Sequence, residues 1–582
     1  MQVKHRLLAV GTAVAALAAT AAVSAVATAS DAPPRSDVTS AVERQRVDRV
    51  ATPRPAWKTC GRDFPARAQC ATVKLPLDYD APTGATVNIA VLRLKARKPA
   101  QRIGSLFVNP GGPGGSAVFM AALADNFLSP TVLDRFDVVG ADPRGIGASS
   151  YLTCFQTAAA RKAAMAGFSI AFPWTSAEEK KYIASAKMIG KACSTTGKPL
   201  SGAMSTAEVA RDMDVLRRAV GDSKLTYLGN SYGTALGQYY ANMFPDRVRA
   251  LVVDGVVNPV SWAGTPATAE QDQEERMHSG AGAYKALQEM LVRCRKQGPT
   301  HCQFAAGGDP VAKFKTLTQR LRAKPVTVDG KKVTYADFIG NVLTSLYAPE
   351  GYIEVDETAS QVWTASDPAA APAQVALAKQ ALALRIRSAK AATASTAKLP
   401  NGTETYYGVT CTDGLHRKKA ESFPAAAAKA DRRTPYFGRI WSWSWVGCAG
   451  NAWTVRDEDA YRGPFNRRTA APVLFVGNYY DPATNYDAAV SANKLLPGSR
   501  LISSDSWGHT AYRSSACLTG AVDAYLIAGT LPAQGLTCVG DVQPFAKPLE
   551  TTTPQAQSAT GKHTKQAPVF VPTIPSTLLG TR

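Results

Sequence analysis

The stretch LTYLGNSYGTALGQYYANMFP, from Leu225 to Pro245, is the one on which the fold prediction turns. Its pentapeptide GNSYG, residues 229–233, fits the pattern G-x-S-x-G. A serine on a sharp turn between a strand and a helix is exposed there as a nucleophile. The pattern also arises by chance, and a helix-capping serine in a glycine-rich loop explains Ser231 equally well. The rest of the chain must therefore supply a base, an orienting acid and an oxyanion hole.

The surrounding sequence alternates short apolar runs with amphipathic segments. IGSLFVNP, FDVVGADPRG, KLTYLG and VRALVVDGVV read as buried parallel strands, and Ser205 with Glu208 forms a capping-box pattern that opens a helix to about Val220. This alternation of predicted strands and helices stops near Asn258. An Ala-rich helical region follows, and the alternation resumes at APVLFVGNYYD. We predict an α/β fold with a mostly parallel central sheet and a large, mainly helical cap inserted between sheet strands.

The chain divides by composition into six parts. We predict a signal peptide over 1–29, a leader or propeptide over 30–56, the first part of the α/β core over 57–259, the helical cap over 260–469, the second part of the core over 470–541 and a flexible tail over 542–582.

The N-terminus indicates secretion. Lys4 and Arg6 precede an uncharged, Ala-rich run that ends in ATA at residues 27–29, the layout of a cleaved signal peptide. A retained anchor is the alternative, since the run is long enough to span a bilayer. No later stretch matches it in length and apolarity, so the sequence predicts an extracellular protein without a stable membrane span.

Charge and cysteine content exclude several function classes. The 582 residues carry a net charge of +21, but the basic residues are scattered and no nucleic-acid-binding motif occurs. A basic surface suits weak attraction to an anionic cell wall, although solubility is the simpler interpretation. The ten cysteines include no C-x-x-C, which argues against zinc and favours disulfides, and no metal or cofactor is expected. Pairing of sequence neighbours is one connectivity among many: Cys60 with Cys70, Cys154 with Cys193, Cys294 with Cys302, Cys411 with Cys448, Cys517 with Cys538.

Only one histidine is well placed to be a base. His5 lies in the signal and His563 in the tail, while His278, His301 and His416 fall in the cap. His509 follows the strand SRLISS and precedes a helix, in SSDSWGHTAY. A serine hydroxyl needs such a base before it can attack.

The orienting acid is predicted to be Asp481, which directly follows the apolar run PVLFVGNYY. Thr484 then suits the cap of the next helix. Two rivals are weaker. Asp505 lies only four residues before His509 on the same loop, and Asp142 in the DPRG turn suits a structural turn or ion pair.

A glycine-rich loop, FVNPGGPGGSA, is the predicted oxyanion hole. Its glycines can turn backbone N–H groups toward a developing negative charge. The expected donors are the N–H groups of Gly112 and of Tyr232, the residue after the serine. A phosphate cradle is disfavoured, because the loop fits neither of the glycine-rich nucleotide patterns.

Together NPGGPGGS, DPRG, YLGNSYGTALG, FPDRVRALVVDGVVNP, VLFVGNYYDPAT and the late GH resemble the proline-iminopeptidase family, and in particular its secreted actinobacterial tripeptidyl aminopeptidases. The resemblance implies an α/β-hydrolase fold and a triad of Ser231, Asp481 and His509, whose order in the chain is that of α/β-hydrolases. It also implies that short peptides are released from free N-termini, without a cofactor. Asn485 departs from the pattern, since many relatives have proline there.

The resemblance implies that acidic cap residues hold the free α-amino group of the peptide. Five residues are candidates, although a solvated acidic helix face explains four of them equally well: Glu270, Asp272, Glu274, Glu275 and Asp413. A prolyl aminopeptidase, or an esterase or amide hydrolase on the same scaffold, is the alternative function, and a non-catalytic secreted binding protein is a further one.

Overall fold

The segment Leu225–Asn230 is an inner strand of a ten-stranded sheet, and all six of its residues are buried. It has a parallel neighbour on each side. A strand covered on both faces needs apolar residues at consecutive positions, which is why its sequence does not alternate.

The computed structural model describes residues 35–396 and 401–549, and the described residues from Ser36 onward form one unit. The predicted signal peptide and residues 550–582 of the predicted tail lie outside the described residues. Among those that are described, no helix has the length and apolarity needed to cross a membrane.

The strands of the described residues number twelve. In chain order they are β1 (Lys58–Thr59), β2 (Ala68–Pro76), β3 (Thr86–Leu94), β4 (Gly104–Asn109), β5 (Phe136–Ala141), β6 (Leu225–Asn230), β7 (Val248–Asp254), β8 (Val326–Val328), β9 (Lys331–Val333), β10 (Val473–Tyr480), β11 (Arg500–Trp507) and β12 (Thr537–Val539).

The main sheet has the order β1-β2-β3-β5-β4-β6-β7-β10-β11-β12. The pairs from β5 to β12 are parallel, and β1, β2 and β3 add an antiparallel edge. The mostly parallel α/β sheet predicted from the sequence is confirmed. Strands β8 and β9 form a separate antiparallel hairpin.

The α-helices of the described residues number twenty. They are α1 (Ala41–Asp48), α2 (Ala117–Ala122), α3 (Ala124–Phe127), α4 (Pro130–Arg135), α5 (Ala158–Met165), α6 (Ser176–Thr195), α7 (Thr206–Ala219), α8 (Tyr232–Met243), α9 (Pro259–Ala263), α10 (Gln273–Met277), α11 (Ser279–Gln297), α12 (Pro310–Ala323), α13 (Tyr335–Ser345), α14 (Gly351–Ser366), α15 (Pro372–Thr396), α16 (Gly402–Asp413), α17 (Phe423–Arg433), α18 (Gly438–Trp443), α19 (Tyr486–Leu495) and α20 (Ala516–Ala528).

Helices cover both faces of the sheet. On one face, apolar side chains of α7, α8 and α19 pack with Phe107, Tyr227 and Phe475. On the other face, α2, α4 and α20 pack with Leu106 and Leu474. The result is a three-layer core whose parallel strands end at one shared edge.

The cap occupies the chain between β7 and β10, and most of its buried apolar residues belong to one hydrophobic cluster. Helices α5 and α6 join that cluster through buried residues such as Ile189, although they precede β6 and fall within the range 57–259 assigned to the core. Tyr232 and Tyr239 of α8 belong to the same cluster, so it joins the cap to helices on both sides of β6.

Five disulfides connect sequence neighbours, and the cysteines of the described residues are all paired. The pairing is the one that proximity in the sequence suggests: Cys60–Cys70, Cys154–Cys193, Cys294–Cys302, Cys411–Cys448 and Cys517–Cys538.

Residues 36–56, within the predicted leader, pack on the core. Helix α1 buries Val47 completely, and the Glu43 carboxylate accepts two hydrogen bonds of 2.8 Å from the buried Arg211 guanidinium. Asp48 pairs with Arg247 at 2.9 Å. These contacts join the leader to distant parts of the chain, so its removal would leave Arg211 with fewer partners.

We expect a chain that begins at Trp57 to unfold at a lower temperature than one that begins at Ser36. Truncation exposes the apolar surface that Val47 covers and removes the Glu43 carboxylate from a buried arginine, which together cost a few kcal/mol. Thermal unfolding of the two purified chains measures the difference. Equal midpoints would show that residues 36–56 are dispensable, as a propeptide would be.

Candidate active site

The turn at Ser231 is strained in the way the motif predicts. Ser231 joins β6 to α8 with φ 58° and ψ −128°, a conformation that non-glycine residues rarely adopt. A Cβ on Gly229 would lie 2.4 Å from the Gly233 carbonyl oxygen, and one on Gly233 would lie 2.7 Å from the Asn109 carbonyl oxygen. Only glycine fits on either side, which explains the spacing of the motif.

His509 and Asp481 meet at the ends of neighbouring strands. Asp481 follows β10 and His509 follows β11, and the imidazole Nδ1 lies 2.8 Å from Oδ2 and 2.9 Å from Oδ1 of the carboxylate. Both side chains are buried. A carboxylate at Nδ1 fixes the tautomer that leaves Nε2 free to accept a proton.

Thr484 belongs to this pair rather than to the next helix, so its predicted role as a helix cap is wrong. The Asp481 Oδ1 accepts the N–H groups of Ala483 and Thr484, each at 2.8 Å, and this turn brings the Thr484 hydroxyl to 2.9 Å from Oδ2. Asn485 caps α19 instead, its Oδ1 accepting the Ala488 N–H at 2.9 Å.

The cap closes against the histidine. The backbone N–H of His509 donates to the backbone carbonyl of Tyr347 at 2.8 Å. The Tyr347 ring stands edge-on to the imidazole, with ring centroids 5.0 Å apart. Within the described part of the chain, the buried Nε2 atom has no hydrogen-bond partner. An imidazole with one nitrogen on a carboxylate and the other unpaired is suited to accept and return a proton.

The glycine loop after β4 contacts the serine turn. A Cβ on Gly111 would lie 2.8 Å from both the Ser231 Cβ and the Tyr232 nitrogen, so only glycine allows this approach. The Gly111 N–H donates to Asn109 Oδ1 at 2.9 Å. Gly112, the predicted donor, lies one residue further along the same loop, and Tyr232 is the first residue of α8. Their roles in the oxyanion hole stay predictions.

The two rival acids lie elsewhere. Asp505 is within β11, and its main-chain oxygen accepts the Gly540 N–H at 2.9 Å. Asp142 accepts the Ser116 hydroxyl at 2.7 Å and two backbone N–H groups, which is the structural turn that the sequence suggested. The ion pairs of the DPRG turn belong to its arginine, Arg144.

Three of the acidic cap candidates hold the cap together. Asp272 caps α10, accepting the Glu275 N–H at 3.0 Å and the Ser442 hydroxyl at 2.7 Å. Glu274 accepts the Gly280 N–H, near the start of α11, at 2.6 Å. Glu275 pairs with Lys429 at 2.7 Å.

The other two candidates differ in burial. Glu270 is exposed. Asp413 is fully buried and accepts hydrogen bonds from the Thr206 hydroxyl at 2.6 Å and from the Trp262 indole at 2.8 Å. Burial raises the pKa of Asp413 to about 6 against the opposing effect of these donors. The Thr206 hydroxyl also lies 2.5 Å from the Tyr232 phenol, so this network supports the residue after the serine.

We expect Glu274→Gln to be more stable relative to the wild type at pH 9 than it is at pH 6. Burial raises the pKa of Glu274 to about 8, above the ordinary 4.5. Because the folded state then binds the proton more tightly than the unfolded state, the wild type loses stability as the pH rises toward 8. Glutamine mimics the protonated acid and can still accept from Gly280, so the variant escapes that loss, which amounts to a few kcal/mol at most.

Thermal unfolding of both proteins at pH 6 and pH 9 measures the effect. Glu275→Gln is the matched control on the same helix, because its ion pairs lower the pKa of Glu275 and its charge stabilises the fold above the ordinary carboxyl pKa. A midpoint difference between Glu274→Gln and wild type that does not change with pH would contradict the expectation.

The described residues offer few side chains that could bind a metal ion together. Of the described residues, Cys294, Cys302 and Asp356 are close enough together to bind one ion, but the two cysteines are joined in a disulfide. A disulfide offers no thiolate ligand.

Comparison with known proteins fits this geometry. The α/β-hydrolase fold model matches residues 104–296, and the model described as TAP-like protein matches residues 434–538. A tripeptidyl aminopeptidase of Streptomyces lividans is 30% identical over 502 residues, which cover 84% of this chain and 87% of that protein. The chain belongs to the tripeptidyl aminopeptidase family of α/β-hydrolases. It is thus an enzyme of the serine hydrolase class, and the family and fold predicted from the sequence are confirmed.

Other relatives of this chain carry different names. Serine protease Hip1 of Mycobacterium tuberculosis is 29% identical over 496 residues, covering 82% of this chain and 88% of that protein. Carboxylesterase B of the same species is 32% identical over 508 residues, covering 84% and 91%. Similar levels of identity therefore accompany both peptidase and esterase names.

Sequence reasoning missed Asp254 and Tyr347. Asp254 is the last residue of β7, and the acid Asp481 comes directly after Tyr480, the last residue of β10. A carboxylate at the end of a parallel strand is therefore a signal that the sequence does contain. Tyr347 carries no such signal, because it lies between two cap helices and reaches His509 only through the folding of the cap.

Proposed function

We propose that this protein is a secreted serine exopeptidase that releases short peptides, in the first instance tripeptides, from free N-termini. The observation that carries the proposal is the His509–Asp481 pair at neighbouring strand ends, together with the strained elbow at Ser231, in a member of the tripeptidyl aminopeptidase family. Five disulfides and the signal-like N-terminus support secretion.

The proposed reaction has two halves. The Ser231 Oγ bonds to the scissile carbonyl carbon while His509 Nε2 takes the hydroxyl proton, and the oxyanion accepts hydrogen bonds from the N–H groups of Gly112 and Tyr232. The C–N bond then breaks as His509 donates its proton to the leaving amine. Water attacks the acyl-enzyme with His509 again as base, and the peptide acid leaves as Ser231 regains its proton.

The cap supports exopeptidase rather than endopeptidase action. Tyr347 packs on His509, and Thr405 of α16 lies 3.1 Å from the Cβ position of Gly114, so cap residues contact both the histidine and the glycine loop. An enclosed site accepts the end of a chain more readily than its middle. Contact between the substrate α-amino group and one of Glu270, Asp272, Glu274, Glu275 or Asp413 remains part of the proposal.

A panel of p-nitroanilides tests the proposal. We expect cleavage of Ala-Ala-Ala-p-nitroanilide with a free N-terminus, at least tenfold slower cleavage of its acetylated form and slower cleavage of Ala- and Pro-p-nitroanilide. The Ser231→Ala variant should cleave none of them. Equal cleavage of free and acetylated peptides would refute the exopeptidase assignment.

Esterase activity is the second candidate, favoured by the carboxylesterase B relative at 32% identity. Both activities use the same acyl-enzyme chemistry, so the site alone does not separate them. Comparison of kcat/KM for p-nitrophenyl butyrate and for the free tripeptide anilide decides between them. A preference for the ester, with no cleavage of any peptide, would replace the peptidase assignment.

Weak association with an anionic cell wall is a further part of the proposal, supported by the net charge of +21. Binding to purified cell wall should fall steeply between low and physiological salt, since exposed charges are screened. Binding that does not change with salt would contradict an electrostatic origin.

A further inference from the structure

Asp254 contacts both the serine turn and the histidine loop. It is the last residue of β7, which lies between the strand of the serine, β6, and the strand of the acid, β10. Its main-chain oxygen accepts the Ser231 N–H at 3.0 Å. Its carboxylate accepts the N–H groups of Ala511, at 3.0 Å, and Tyr512, at 2.7 Å. One residue is thus bonded to the nucleophile and to the segment two and three residues beyond the base.

We propose that Asp254 is the positioning residue that sets the distance between the Ser231 hydroxyl and the His509 imidazole. The inference rests on the proposed function, because it assigns a role within that same site. Asp254 does not act as the orienting acid, since the Nδ1 atom of His509 is bound to Asp481.

The Asp254 side chain is buried and is held by backbone groups. Asp254 is fully buried, and its bonds are to backbone N–H groups, with no arginine or lysine partner among its contacts in the described chain. Burial raises the pKa of Asp254 to about 6, against the lowering effect of the Tyr512 and Ala511 N–H groups. A carboxylate kept in an unfavourable environment without a counter-ion is costly, and such costs are commonly retained where a site must be held in place.

Gly255, the next residue, leaves little space between the backbone and the loop that carries His509. Gly255 has φ +69°, and a Cβ there would lie 3.1 Å from the His509 Cε1 and 3.0 Å from the Thr510 Cγ2. The backbone at Gly255 therefore lies close to the imidazole of His509. A displacement of about 1 Å between reacting groups can cost roughly 100-fold in rate.

Asp254→Asn tests the inference. The amide places an NH₂ donor where a carboxylate oxygen now accepts a backbone N–H, so the loop carrying His509 must shift. We expect kcat for the tripeptide anilide to fall about 10- to 100-fold, with KM changed less than threefold. The rate of labelling of Ser231 by a fluorophosphonate probe should fall by a similar factor, since labelling needs the same serine–histidine pair but no peptide.

The matched control is Asp356→Asn in the cap. Asp356 is also buried and its carboxylate also accepts two backbone N–H groups, from Gln303 at 2.9 Å and Phe304 at 2.7 Å. It should lose comparable thermal stability while keeping kcat and the labelling rate within twofold of wild type. Equal losses of kcat in both variants would reduce Asp254 to a structural residue and overturn the inference.

A second variant covers the case in which Asp254→Asn does not fold. In Gly255→Ala, the added methyl group lies against the His509 imidazole. We expect this variant, when folded, to be labelled at least tenfold more slowly. Wild-type labelling rates in Gly255→Ala, or in folded Asp254→Asn, would overturn the inference alone. Absence of labelling in the wild type itself would overturn the proposed function, and the inference with it.

Discussion

Asp481→Asn should lower kcat by about 10³- to 10⁴-fold while the protein remains folded. The Asp481 Oδ1 is held by the N–H groups of Ala483 and Thr484, so the amide oxygen of Asn will take that position. The NH₂ group then occupies the position of Oδ2 and donates to His509 Nδ1. An imidazole that accepts at Nδ1 carries its proton on Nε2, which makes it unable to take the proton of Ser231.

Steady-state kinetics on the tripeptide anilide, with thermal unfolding as a check on folding, measure this effect. Asp505→Asn is the matched control, because Asp505 is the acid nearest to His509 in sequence yet lies within β11. We expect that variant to keep kcat within a few-fold of wild type. Loss of activity in Asp505→Asn, together with retention in Asp481→Asn, would reverse the assignment of the acid.

Arg144→Met should destabilise the fold by about 3–5 kcal/mol. The Arg144 side chain is fully buried and donates to Asp212 at 2.7 and 2.9 Å, to Glu208 at 2.6 Å and to three carbonyl oxygens. Methionine fills much of the volume but leaves two buried carboxylates without this partner. Burial already raises the pKa of Glu208 to about 7 in the presence of Arg144. Glu208 keeps the Arg211 guanidinium at 2.6 Å, so the charge of Asp212 dominates the loss.

Urea unfolding of Arg144→Met against wild type, with disulfides intact, measures the free energy of unfolding. Arg387→Met is the matched control. Its guanidinium pairs with Asp329 at 2.9 Å, but both side chains are more than half exposed. Solvent-exposed pairs contribute about 0–1 kcal/mol, so this control should unfold close to wild type. A loss below about 1 kcal/mol for Arg144→Met would show that the buried pairs add nothing to stability.

Much of the site follows from strand ends that the sequence marks clearly. Ser231 and Asp481 each follow an apolar run and His509 follows a shorter strand pattern, and parallel strands bring such ends to one edge. The sequence could not place the cap around them. Within the run EQDQEER, the structure starts α10 at Gln273, and two residues after the run it bends the chain at His278, whose φ is 54°. Asp272, which looks like part of a solvated face, then becomes a helix cap, and this depends on where the short helix begins.

The predicted leader is a second region whose contacts could not be predicted from the sequence. Residues 36–56 are polar and contain prolines, which suggests a linker, yet Glu43 and Asp48 pair with Arg211 and Arg247, far along the chain. Sequence reasoning sees the charges but not their partners. Thr484 and Asn485 differ by one position, and only the turn at Asp481 decides which of them caps α19.

Labelling with a fluorophosphonate probe, followed by peptide mapping, tests the central claim most directly. We predict one adduct, on the peptide that contains Ser231, in the wild-type protein. His509→Ala should be labelled at least 100-fold more slowly although Ser231 is intact, because the hydroxyl then lacks its base. An adduct at another residue, or equal labelling of wild type and His509→Ala, would contradict a serine nucleophile activated by His509.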